Sequence, residues 1–223
     1  MYNILYDGPP YDDLDEADLT LVLAHGAGAA MDSPFMAAFA TGLGQRGIRV
    51  ARFEFPYMVE RRISGKKPPP NRQPILLQSW RDVISQLRVD HPGERLAIGG
   101  KSMGGRMASM LVTEGTADIA EDISVDIAAL VCLSYPFHPA KKPERLRTEH
   151  LADVSLPSLI VQGDRDPLGN RAEVDSYNLD PSIQFHWCPD GDHDLTPRKR
   201  SGHTQAANWN DAMDRVADFL ITL

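Results

Sequence analysis

The chain has 223 residues, of which 42% are hydrophobic, and its formal net charge is −8 at pH 7. We expect a single domain, residues 1–223, because this length suits one sizeable core, and the acidic charge argues against general nucleic-acid binding. The N-terminus has neither a basic region nor a long apolar run, and no apolar run approaches membrane-spanning length. We therefore expect a cytoplasmic protein with no signal peptide and no membrane partner.

The first half of the chain alternates short apolar segments with longer amphipathic ones. We predict strands at residues 3–6, 20–24, 48–53 and 96–98, and helices at 34–46, at 75–89 and from the turn after residue 98 to about residue 113. Segment 8–18 is a Pro-rich, acidic turn region, and segment 56–74, rich in proline and basic residues, is predicted to be a long loop.

The second half continues the same alternation. We predict strands at 128–133, 158–162 and 183–188, helices at 171–177 and 204–220, and a basic loop at 135–148. Segment 114–126 is acidic and is expected at the surface. Alternating strands and helices indicate a parallel sheet covered by helices on both faces, in which ligands bind beyond the carboxyl ends of the strands.

A glycine-rich turn separates the strand at 96–98 from the helix that follows, and it contains Gly100-x-Ser102-x-Gly104. In this context the pattern indicates a nucleophile elbow, a tight turn that exposes a serine hydroxyl. A Cβ atom two residues before or after the serine would clash with neighbouring backbone, which glycine avoids. The phosphate-binding loop has a similar ending, but it requires glycine where this chain has Arg95.

Three further motifs follow predicted strands, and they supply the partners that a serine nucleophile needs. They lie at residues 25–28, 164–166 and 192–194. A serine requires a base, usually histidine, and the histidine requires a carboxylate that orients it. His193 is the candidate base, and Asp166 or Asp164 is the candidate acid. The simpler alternatives are that Ser102 is an ordinary turn serine and His193 a surface histidine.

With these motifs in the order Ser, Asp, His, the chain resembles the α/β-hydrolase superfamily, especially its small dienelactone-hydrolase-like and testis-expressed-protein-like members. Typical members begin with an antiparallel pair of strands, but few residues precede the strand at 20–24 here, so we expect a reduced, mostly parallel sheet of six or seven strands. No long insertion follows the strand at 128–133, where many relatives carry a helical lid, so we expect no large lid. The implied chemistry needs no cofactor. The resemblance implies that Ser102, Asp166 and His193 are catalytic. The implied oxyanion donors are the backbone N–H groups of Ala27 and Met103.

A metal site is not expected. His186, Cys188, Asp192 and His193 are close in sequence, but a closed set of ligands is missing. His25 is expected to support its loop rather than transfer protons. Cys132 lies within the apolar run 128–133, so we expect it in the core, and Cys188 ends a predicted strand. A disulfide framework is not expected.

Basic residues cluster in three loops expected at the catalytic edge. They are Arg61, Arg62, Lys66, Lys67 and Arg72 in the first loop, Lys141, Lys142, Arg145 and Arg147 in the second, and Arg198, Lys199 and Arg200 in the third. Such a rim would attract anionic substrates or an acidic partner. The alternative is that these are ordinary solvated charges.

The sequence thus predicts a serine hydrolase that acts on a small-molecule ester or thioester through an acyl-enzyme. The competing hypothesis is a non-catalytic interaction module on the same fold, because fold alone does not guarantee activity. A serine peptidase is disfavoured, since the chain is too short to hold a substrate-gating domain.

Overall fold

The computed structural model of the protein describes residues 1–11, 19–114 and 127–223. Most of the predicted turn region 8–18 and of the predicted acidic segment 114–126 lies outside the described residues.

The described residues form seven strands, β1 (Ile4–Asp7), β2 (Leu19–Ala24), β3 (Arg49–Phe53), β4 (Arg95–Lys101), β5 (Ile127–Leu133), β6 (Ser158–Gly163) and β7 (Gln184–Cys188). They make one sheet in the order β1-β3-β2-β4-β5-β6-β7. All neighbouring pairs are parallel except β1, which pairs antiparallel with β3. This confirms the predicted mostly parallel sheet.

Helices cover both faces of the sheet because successive strand residues point to opposite sides. On β2, Leu21 and Leu23 join one hydrophobic cluster, while Val22 and Ala24 join the other. The helices are α1 (Pro34–Gly44), α2 (Pro56–Ser64), α3 (Gln73–Asp90), α4 (Met103–Thr113), α5 (Arg171–Val174) and α6 (Gln205–Ile221). The cluster with Leu21 and Leu23 contains residues of α1 and α6, and the cluster with Val22 and Ala24 contains residues of α2, α3 and α4.

The prediction of an uninterrupted loop at 56–74 was wrong, because its first part is the helix α2. Pro56 occupies the first turn, and Gly65 ends the helix with a left-handed φ of 70° and an N–H that donates to Arg61 O. Within this helix, Tyr57 and Met58 are buried. Three predicted helix boundaries shift by two or more residues: α1 ends at Gly44, α3 begins at residue 73 and α5 ends at residue 174.

Within the residues that the structure describes, no large lid covers the carboxyl edge of the sheet. Between β5 and β6, residues 134–157 form loops and one short 3₁₀ turn, Glu149–Ala152. No helix among the described residues is long and apolar enough to cross a bilayer.

Candidate active site

Ser102 lies between β4 and α4 in a strained backbone conformation, with φ 52° and ψ −112°. The flanking glycines make the turn possible. A Cβ atom on Gly100 would lie 2.1 Å from the carbonyl oxygen of Ala24, and one on Gly104 would lie 2.2 Å from the same atom. The clash expected from the sequence is therefore present on both sides of the serine, and both clashes involve one residue of the neighbouring strand β2. Strain held in this way is typical of functional sites.

The serine, histidine and aspartate named from the sequence come together at this edge. His193 Nε2 lies 2.9 Å from Ser102 Oγ, and His193 Nδ1 lies 2.7 Å from Asp166 Oδ2. An ionised carboxylate can only accept, so Nδ1 carries the proton and Nε2 is free to accept one from the serine. The imidazole thus links the hydroxyl to the carboxylate as a general base requires.

Asp166, rather than Asp164, is the carboxylate beside the imidazole. It is fully buried, and its Oδ1 accepts a 2.8 Å hydrogen bond from the backbone N–H of Leu168. Its Oδ2 also accepts a 3.0 Å hydrogen bond from Gln162 Nε2. Gln162 lies in an apolar strand run and was not identified from the sequence. The same Nε2 is within hydrogen-bond distance of two backbone carbonyls, so the amide is fixed towards Asp166.

The loop after β2, which carries Ala27, is held from two sides. The ring of His25 is buried; its Nδ1 lies 2.7 Å from Gly26 O, and its Nε2 accepts a 3.1 Å hydrogen bond from Phe55 N–H. Burial lowers the pKa of His25, which favours the neutral ring. The hydroxyl of Tyr57 on α2 donates to the carbonyls of Gly26 and Ala27. His25 therefore supports the loop after β2, as expected. Tyr57 also supports it, which was not foreseen from the sequence because a loop rather than a helix was predicted at 56–74.

The other residue assigned an oxyanion N–H, Met103, is the first residue of α4. Backbone N–H groups in the first turn of a helix have no acceptor within the helix, and the dipole places partial positive charge there. Met103 and Ala27 both line a cavity that contains Ser102. Their backbone positions therefore suit the stabilisation of negative charge beside the serine.

Lys101, directly before the serine, contacts the loop that carries His193. Its side chain is almost fully buried, and its Nζ donates to the backbone carbonyl of His193. Nζ also lies 3.3 Å from Asp194 Oδ1 and 4.5 Å from the centre of the Phe35 ring. Burial lowers the pKa of Lys101, while the nearby carboxylates oppose this shift. No role was predicted from the sequence for Lys101, which lies inside the glycine-rich turn.

Two cavities meet at Ser102 and Ala27. The first, called here the Arg106 cavity, measures about 510 Å³ and is lined by Ala27, Pro70, Asn71, Gln73, Leu76, Ser102, Met103, Arg106, Met107, Pro136, Pro139, Ala140, Arg147 and Leu168. The second, the Lys101 cavity, measures about 290 Å³ and is lined by Gly26, Ala27, Gly28, Ala29, Ser33, Phe35, Met36, Lys101, Ser102, His193 and Asp194. A larger cavity of about 540 Å³ near the N-terminus contains none of the three site residues.

The three basic segments predicted as loops differ in how their arginines are paired and in whether they reach this site. Arg62 is paired with Glu54 and Asp32, and Arg198 is paired with Asp190. The proposed rim is therefore partly neutralised by neighbouring carboxylates. Arg147 of the second loop, by contrast, lines the Arg106 cavity.

The residues considered for a metal are not gathered at one point. His193 faces Ser102 and Asp166, whereas His186 Nε2 lies 3.1 Å from Asp211 Oδ2. Cys188 is buried, and burial raises its pKa to about 12. Within the described ranges, no group of three or more His, Cys, Asp or Glu is arranged to hold a metal ion.

Comparison with known proteins gives one family match and several similar structures. The family described as alpha/beta hydrolase domain matches residues 17–221. A dienelactone hydrolase from Anabaena variabilis superposes with a TM-score of 0.67 at 17% identity, covering 99% of this chain and 98% of its own. A serine hydrolase without a lid from Xanthomonas campestris gives 0.64 at 18%, covering 96% and 87%. Est1E from Butyrivibrio proteoclasticus, with ferulic acid bound, gives 0.66 at 15%, covering 99% and 94%.

Proposed function

The chain belongs to the α/β-hydrolase domain family, and from this premise we propose that it is a serine hydrolase that cleaves carboxylic esters or thioesters. The observation that carries the proposal is the linked geometry at the elbow. Ser102 Oγ lies 2.9 Å from His193 Nε2, and His193 Nδ1 lies 2.7 Å from Asp166 Oδ2.

In the first half of the proposed reaction, Ser102 Oγ attacks the carbonyl carbon of the substrate. His193 Nε2 takes the hydroxyl proton as the new C–O bond forms, and Asp166 stabilises the imidazolium. The carbonyl oxygen becomes an oxyanion that the N–H groups of Ala27 and Met103 stabilise, each by roughly 3 kcal/mol in comparable sites. The tetrahedral intermediate then collapses as His193 protonates the leaving alcohol or thiol, which leaves Ser102 acylated.

In the second half, water replaces the alcohol or thiol. His193 takes a proton from the water as its oxygen attacks the acyl carbon, and it returns that proton to Ser102 Oγ when the acid departs. Each group in this cycle is part of the chain, so the proposed chemistry requires no cofactor.

Hydrolysis of p-nitrophenyl acetate by the purified protein tests the proposal. We expect turnover that Ser102→Ala abolishes and that Asp166→Asn reduces by about 10⁴-fold, because the wrong histidine tautomer is then favoured. Asp164→Asn is the matched control, since Asp164 lacks the contact with His193. Turnover that survives Ser102→Ala would contradict the proposal. No turnover by the wild type, together with no covalent labelling of Ser102, would favour the non-catalytic interaction module.

We include in the proposal that the substrate is a small anionic molecule, because a cationic side chain lines the cavity beside Ser102. The support comes from Arg147, which lines that cavity. Arg62 and Arg198 offer weaker support, because both are paired with carboxylates.

A further inference from the structure

Two arginines, Arg106 and Arg147, line the cavity of about 510 Å³ that contains Ser102. Arg106 follows Ser102 by four residues, and its N–H donates a 3.0 Å hydrogen bond to the Ser102 carbonyl. Residues at this spacing lie on one side of a helix. Arg147 comes from the loop at 135–148, so two different elements each contribute an arginine to the lining of one cavity.

The described part of the chain provides no carboxylate partner for either guanidinium. Nε of Arg106 is buried and has no hydrogen-bond partner among these residues. Arg106 also lies in the first turn of α4, whose positive dipole end disfavours a cation. Burial, followed by the charge of Arg106, lowers the pKa of Arg147. Two cations placed together at such a cost indicate a site that a bound anion completes.

The position of His193 indicates which part of the substrate this anion belongs to. His193 lines the Lys101 cavity, whereas Arg106 and Arg147 line the Arg106 cavity. The leaving group must lie beside His193, because the imidazole protonates it. The acyl group then extends to the other side of Ser102, into the Arg106 cavity.

We propose that Arg106 and Arg147 bind a carboxylate at the far end of the acyl group, so that the substrates are half-esters or half-thioesters of dicarboxylic acids. This inference rests on the proposed hydrolase function and adds the substrate class. The planar fork of a guanidinium matches a carboxylate with two parallel hydrogen bonds. Hydrolysis releases the free diacid and the alcohol or thiol.

A pair of substrates with one leaving group tests the proposal. The 4-methylumbelliferyl half-ester of adipic acid carries a terminal carboxylate, and its analogue with a terminal carboxamide is nearly identical in shape but neutral. We expect the wild type to favour the carboxylate by roughly tenfold to a hundredfold in kcat/KM, as charge-assisted hydrogen bonds predict. Arg106→Gln and Arg147→Gln should each bring this ratio towards one, and Arg106→Lys should keep part of it.

Arg145→Gln is the matched control, because Arg145 is exposed on the same loop and lies 3.9 Å from Glu144. It should leave the ratio unchanged. The ratio is insensitive to a general loss of active protein, and urea unfolding reports whether each variant is folded. A wild-type ratio near one, or a ratio that survives both Gln variants, overturns the inference.

The two proposals fail in different ways. Hydrolysis of the carboxamide ester without preference for the carboxylate leaves a hydrolase and removes the anion site. If neither of these esters nor p-nitrophenyl acetate is hydrolysed, the proposed function fails, and calorimetry of adipate with Ser102→Ala protein decides the anion site by itself. Binding of adipate that Arg106→Gln abolishes supports the site, and absence of binding overturns it.

Discussion

Gln162 Nε2 donates a 3.0 Å hydrogen bond to Asp166 Oδ2, the oxygen that also lies 2.7 Å from His193 Nδ1. Gln162 is fully buried on β6, and Asp166 is fully buried in the turn that follows it. The Gln162 amide therefore fixes the orientation of the Asp166 carboxylate, which in turn orients the His193 imidazole. Residues of this kind act through their neighbours and control geometry rather than bonds to the substrate.

Gln162→Leu tests this positioning role. We expect kcat to fall about tenfold or more at a similar KM, because Asp166 loses one hydrogen bond and the freedom of its carboxylate increases. The control is Ser158→Ala on the same strand, which removes a partly buried hydrogen bond to Leu156 O at the other end of the strand. Both variants should lose stability, but only Gln162→Leu should lose kcat. Equal kcat values for the two variants would show that Gln162 is merely structural.

Lys101→Met tests whether Lys101 positions His193. The variant keeps an apolar stem against Phe35 but leaves the His193 carbonyl without its Nζ donor. We expect kcat to fall about tenfold, since a small displacement of the imidazole weakens proton transfer. Asp194→Asn removes only the ion pair with Nζ, and its effect on kcat should be slight. Steady-state kinetics measure kcat for each variant. An unchanged kcat in Lys101→Met would show that Lys101 does not position His193.

Gly104→Ala tests the tight turn. The added Cβ would lie 2.2 Å from Ala24 O, which is backbone within the sheet and cannot yield easily. We expect the free energy of unfolding to fall by about 3 kcal/mol. Gly28→Ala is the control, because no heavy atom lies within 4 Å of its added Cβ. Urea unfolding curves measure both variants, and equal midpoints would contradict the packing described for the elbow.

The lowered pKa of His150 makes the stability of the folded protein depend on pH. Burial, with a smaller contribution from Arg106, lowers the pKa of His150 to about 4. Between the ordinary value and that pKa, the unfolded chain binds a proton that the folded His150 does not, so stability falls as the pH drops. We expect this group to contribute about 1–2 kcal/mol from pH 7 to pH 4, reduced by solvent screening. His150→Gln should flatten that slope in urea unfolding series, and an identical slope would refute the assignment.

The sequence predicted the sheet well because each strand is a short apolar run ended by turn residues. It also predicted Ser102, Asp166 and His193, because each lies beside a local pattern at a strand end. α2 was missed, since the basic and proline-rich composition of 56–74 outweighed the helix signals of Pro56 and Gly65.

The residues that hold Asp166 and His193 in place could not be identified from local sequence patterns. Gln162 and Lys101 act across the sheet on residues that are distant along the chain, and their local patterns are those of ordinary strand residues. Arg106 has no sequence pattern of its own either. Its significance in the proposal depends on the absence of a carboxylate partner among the described residues, which only the folded structure reveals.

The most direct test of the central claim is fluorophosphonate labelling followed by peptide mass spectrometry. A fluorophosphonate reacts covalently with a serine that a neighbouring base activates, as Ser102 is proposed to be by His193. We predict one modified peptide, with the adduct on Ser102, and no labelling of the Ser102→Ala variant. Wild-type protein that remains unmodified, or an adduct that persists elsewhere in Ser102→Ala, would contradict the account.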